Sequence, residues 1–106
     1  MITAILVAVA VQSAAINSQR DAFLSCIEAA AKGAKAQSKP ADTIEPYLRQ
    51  TCAAAETSFK SALVAFDLKN KVARKQAVAD AQLQADDFIA STVEQYKRMQ
   101  VSTERG

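Results

Sequence analysis

The sequence predicts an all-α domain, and three observations lead there. Half of the chain is apolar, but alanine supplies much of that, and the aromatics are four Phe and two Tyr with no Trp. Gly and Pro number two each, too few to turn the strands of a sheet. Apolar residues recur at three- and four-residue spacing along three stretches of the chain. At 106 residues the chain makes one domain at most, and a small one for burying a core.

The first helix is predicted from about Ser18 to Gln37, with Ser18 and Asp21 as its capping pair. Phe23, Ile27, Ala30 and Ala34 form its apolar stripe, widened by Leu24 and Ala31. Ser38-Lys39-Pro40-Ala41 ends it, because proline cannot continue the ladder and disfavours helix in the residue before it.

A second helix begins at Asp42, where Asp42-Thr43-Ile44-Glu45 forms an N-terminal box and Pro46 falls in the tolerant first turn. Its stripe is Ile44, Leu48, Cys52, Ala55, Phe59, Ala62 and Phe66. Glu45→Arg49, Glu56→Lys60 and Asp67→Lys71 stand acid before base at four-residue spacing. Such pairs add only about 0.2–0.5 kcal/mol each and are expected on a solvated face.

The third helix, about Val72 to Met99, places Ala77, Ala81, Ala85, Phe88, Thr92, Tyr96 and Met99 on one face, and Glu94→Arg98 repeats the surface pairing. Only Asn70 suggests a stop between the second and third stretches. A fold-back near Asn70 is the favoured reading. The alternative is one helix of about 57 residues and about 85 Å, which would expose its stripe and call for a dimer. The favoured architecture is a helical hairpin plus a third helix, a small antiparallel three-helix bundle. Folding at Asn70 sets Phe23, Ala55 and Phe88 in one core layer.

The only two cysteines, Cys26 and Cys52, fall in the first two helices. In an antiparallel hairpin turning near Lys39, facing positions sum to about 78, as those of Cys26 and Cys52 do. The register came from the proline turn, and it brings the thiols level. A metal site would need more ligands, and the chain has neither His nor a C-x-x-C spacing. A nucleophilic cysteine would need a base, and none is in evidence. A structural disulfide is the expectation, with two inert buried thiols as the open alternative.

Residues 2 to 11 carry no charge, and small residues follow at Ser13, Ala14 and Ala15. This has the form of a secretory signal cleaved after Ser13 or Ala15, although it lacks a Lys or Arg ahead of the apolar run. The run falls far short of the roughly 20 residues needed to span a bilayer. An extension of the first helix and a membrane anchor are the competing readings. The expected division is a signal peptide over 1–15, one helical domain over 16–99 and a frayed tail over 100–106.

The net charge of +2 is too mild to imply a nucleic-acid partner. With no histidine, the commonest general base and metal ligand is missing. Glu45, Asp86 and Asp87 are the carboxylates an enzyme reading would nominate. Adjacent residues on a helix point about 100° apart, so Asp86 and Asp87 cannot converge as a dyad. The expectation is a protein without catalytic residues, metal or cofactor. Lys69, Lys71, Arg74 and Lys75 crowd four cations into seven residues at the start of the third helix, where the dipole disfavours them. They are a candidate contact for a phosphate or carboxylate. Against this, Asp67 can pair with Lys71, and charged turns are commonly only solvated.

The stretches "CAAAETSFKSALVAFDLKN" and "DAQLQADDF" resemble short, uncharacterised secreted helical proteins of bacteria, over roughly Phe23 to Tyr96. The resemblance implies an exported helical protein and brings no activity or site residues. Together these readings point to a structural or binding module in the periplasm or outside the cell. Its expected partner is protein or an anionic envelope surface, with no transmembrane span; a monomer is favoured over a dimer. The competing reading is a cytosolic protein whose Cys26–Cys52 bond switches with redox state.

Overall fold

The computed structural model describes the backbone of residues 2–105 and the side chains of residues 14–100. It is all-α. Helix α1 covers Ile2–Ala36, α2 Ile44–Thr51, α3 Ala53–Lys69 and α4 Arg74–Arg105, with a single 3-10 turn at Ala41–Thr43. The chain does break after Asn70, and the continuous long helix does not form.

Four helices stand where three were expected, because the second stretch divides at Cys52. Cys52 leaves the helical region at φ −109° and ψ 22°. Its N–H still donates to the Leu48 carbonyl at 3.0 Å, and its own carbonyl accepts from the Glu56 N–H at 2.9 Å. The interruption is therefore one residue wide. It coincides with the residue tethered to α1, where neither Gly nor Pro is present to account for it.

The boundaries differ at both early starts. No helix begins at Ser18; α1 runs through it from Ile2, since neither Gly nor Pro occurs before Gly33. The box at Asp42 does not form either. Thr43 Oγ1 donates to the Pro40 carbonyl at 2.7 Å, tightening the 3-10 turn, and α2 starts one residue later without a side-chain cap. The proposed signal at 1–15 falls mostly on residues whose side chains lie outside those described. In the stretch expected to fray, the backbone stays helical to Arg105.

Both sharp turns use the same device. At the end of α1, Ser38 N–H donates to the Lys35 carbonyl and Lys39 N–H to that of Ala34, each at 3.0 Å. At the end of α3, Lys71 N–H reaches the Leu68 carbonyl at 3.1 Å and Val72 N–H that of Asp67 at 2.9 Å. These are paired Schellman bonds, and they place Ser38 at φ 56° and Lys71 at φ 66°, in the left-handed region where glycine is usual. Asn70 adds a bond from Nδ2 to the Phe66 carbonyl at 2.9 Å. A side chain in that region costs about 1–2 kcal/mol, part of which glycine returns through its freer unfolded chain. Ser38→Gly and Lys71→Gly should therefore each raise stability by about 1 kcal/mol in urea denaturation. A loss of stability in both would contradict this geometry.

The first turn is also pinned from α4. Tyr96 is fully buried, and its hydroxyl donates to the Lys39 carbonyl at 2.6 Å; Gln100 Nε2 shares that acceptor at 2.8 Å. Lys39 Nζ in turn lies 4.8 Å from the centre of the Tyr47 ring. Tyr96 and Gln100 of α4 thus hold the hairpin whose arms carry the two cysteines.

The core joins Phe23, Ile27, Ala30, Ala31 and Ala34 of α1 with buried residues from every other helix. From α4 it draws on alanines at 77, 81 and 85, which let the helices approach closely, together with Ile89 and Tyr96. The aromatic layer is shifted from expectation. Phe23 stacks on Phe59 at 5.8 Å, and Phe88 meets Phe23 edge-on at 6.3 Å and Phe59 at 5.8 Å. Phe59 thus takes the place expected of Ala55, one helical turn along. The turn of α4 also rotates, so that Ile89 is buried and Phe88 only half-buried.

Candidate functional site

Cys26 and Cys52 are bonded. Their sulfurs lie 2.07 Å apart and their Cα atoms 5.9 Å apart, at a sequence separation of 26, so the bond ties α1 to the junction of α2 and α3. Cys52 is buried and Cys26 half-buried, and no free cysteine remains.

The four cations of the second turn are all exposed, and none makes an ion pair within 4.0 Å among the described residues. Lys71 occupies the left-handed position of the turn, so the expected Asp67–Lys71 pair does not form; nor does the pair expected between Glu94 and Arg98. The cations do not share one spot. Lys69 lines a small cleft of about 180 Å³ with Ala15 of α1 and Phe66 of α3. Arg74 lines a larger groove of about 470 Å³ between α3 and α4.

A polar ring that the sequence reading missed closes the other end of that groove. Arg49 on α2 reaches Asp86 on α4 at 3.0 Å, and Gln82 Nε2 donates to the same Asp86 oxygen at 2.9 Å. Lys60 on α3 donates to Gln82 Oε1 at 2.9 Å and pairs with Glu56 at 2.9 Å. Arg49 returns to Glu56 at 3.9 Å, with Glu45 a loose outer partner at 4.0 Å. Two acids and two bases balance, and among the described residues no buried side-chain polar atom lacks a partner.

Glu56 was expected on a solvated face with Lys60, yet it is the one charged side chain buried among the described residues. The core stripe of α3 is Cys52, Glu56, Phe59 and Leu63, rotated from the expected Ala55 and Ala62. The signal was present in the spacing. Cys52, Glu56, Phe59 and Leu63 fit helical periodicity as well as the alanine register does, and only the acidic residue argued against it.

Asp86 is held below its ordinary value of 3.8, first by the Gln82 amide and then by the hydrogen bond and charge of Arg49, with a smaller pull from the Lys60 charge; partial burial works the other way. A carboxylate depressed in the folded state contributes stability above its unfolded pKa, and that contribution is lost as pH falls through the lower folded value. Asp86→Asn should therefore flatten the acid limb of the stability profile below about pH 4. Urea midpoints of the two proteins at stepped pH check this. Parallel acid limbs would show that Asp86 is not held by the ring.

The members of the ring satisfy one another, Asp87 is exposed beside it, and among the described residues no group of three carboxylates or cysteines is arranged to hold a metal ion. Among those residues, too, no helix is long and apolar enough to cross a membrane. In comparisons with known proteins, no family model, curated protein or solved structure matches the chain.

Proposed function

We propose that this is a small exported helical protein that works as a structural or binding module in the bacterial cell envelope or outside the cell. The observation that carries the reading is the Cys26–Cys52 bond, because disulfides persist in oxidising compartments and are rare in the reducing cytosol. Counted as one arm interrupted at Cys52, α2 and α3 make the molecule an antiparallel three-helix bundle, stapled across its first hairpin.

The uncharged run over residues 2–11 followed by Ser13, Ala14 and Ala15 is the signal this reading removes. The unpaired cations at the turn between α3 and α4 are the surface this reading assigns to an anionic envelope lipid or an acidic partner.

N-terminal sequencing of protein recovered from the envelope fraction and the medium tests the proposal. The expected product starts after Ser13 or Ala15. A product starting at Met1 and confined to the cytosol would overturn export and favour the redox-responsive reading.

A further inference from the structure

We propose that the groove between α3 and α4 binds a single-chain anionic amphiphile, with its acidic head at Arg74 and its apolar chain along Val64, Leu68, Val78 and Ala81. This rests on the reading of the protein as a binding module and supplies that module with a ligand class.

Size is the first argument. At about 470 Å³ the groove falls within the range of small-molecule sites. Its apolar wall is built from Val64 and Leu68, one turn apart on α3, facing Val78 and Ala81 on α4. Val78 is 51% exposed, one of two large hydrophobics so displayed among the described residues, and it lies in this wall. An apolar side chain there gains burial when the groove is filled.

Charge gives the groove a direction. Arg74 sits one turn before Val78 at one end, exposed and without an ion pair among the described residues, with Lys75 next to it in sequence and Lys71 three positions before it. Lys60 and Gln82 line the opposite end, but the ring already engages both: Lys60 with Glu56, and Gln82 with Asp86. Positive charge is therefore uncompensated at one end only. A guanidinium can hold a carboxylate through two parallel hydrogen bonds, which suits the head group.

Length selects a short chain over a docked helix. From Arg74 to Gln82 is eight residues of α4, or about 12 Å, and polar residues close the far end. A partner helix would need a longer apolar seam than this.

Decanoate is the probe, titrated below its micelle concentration into full-length oxidised protein and followed by calorimetry and backbone NMR shifts. One saturable site is expected, with shifts centred on residues 64–68 and 74–82 and an affinity that falls as salt rises. Arg74→Gln should weaken binding about tenfold, and Val78→Asp should weaken it at least as much. Both positions are exposed, so melting curves should show the variants folded. Decyltrimethylammonium, whose head is cationic, and acetate, which lacks the chain, should not saturate.

The proposal is overturned by any of four results. These are no saturable decanoate binding, equal binding of the cationic analogue, a Kd unmoved by Val78→Asp, or shifts confined to other faces. The third would leave the cations acting as surface charge alone. None of the four bears on where the mature chain starts, so export stands or falls separately.

Discussion

Phe59→Ala should destabilise the protein by about 3–5 kcal/mol, the largest effect expected of any single substitution here. Phe59 is fully buried and stacks on Phe23 at 5.8 Å, with Phe88 against it at 5.8 Å and the Arg20 guanidinium 5.9 Å from its ring centre. Truncation removes the transfer free energy of the ring and leaves a cavity. Part of the surrounding core on α1 and α4 is alanine, too short to swing into the space. Phe88 belongs to the same layer but is half-buried, so Phe88→Ala should cost distinctly less. Urea denaturation of the two variants gives the ordering. If Phe88→Ala matched or exceeded Phe59→Ala, the centre of the layer would have been misplaced.

Removal of the staple ranks second. A loop closed across 26 positions contributes roughly 3.5 kcal/mol on the chain-entropy account, mainly by restricting the unfolded chain. Total stabilities of small domains are about 5–15 kcal/mol, so this is a large share. Cys26→Ala with Cys52→Ala should show that loss, and reductant should reproduce most of it in the parent protein. A double variant within about 1 kcal/mol of the parent would mean that packing alone sets the hairpin, leaving the bond little energetic role.

The register of the first hairpin was legible because two independent signals agreed. Pro40 set where the chain turns, and the cysteine positions matched the pairing that this turn imposes. The break at Asn70 was weaker, since the residue that takes the left-handed conformation is Lys71, for which no sequence rule prepares the reader. The start of α1 was misread because Ser18 and Asp21 look like a cap, whereas nothing upstream interrupts the helix. The phase of α3 was off by a fraction of a turn for a specific reason. Choosing alanines over Glu56 follows the usual rule that acids face water, but here Lys60 at 2.9 Å and a more distant Arg49 at 3.9 Å satisfy the buried carboxylate. The polar ring joins residues from three helices, so no pattern local to one helix could display it. The bond from Tyr96 to the Lys39 carbonyl spans 57 positions and is invisible in the same way.

The proposed export rests on the state of two sulfurs. The most direct measurement is the intact mass of the protein isolated from its native location, alkylated with and without prior reduction. The account predicts no alkylation before reduction, two alkyl groups after it, and a chain beginning after Ser13 or Ala15. Two thiols open to alkylation without reductant, in protein taken from the periplasm, would contradict it.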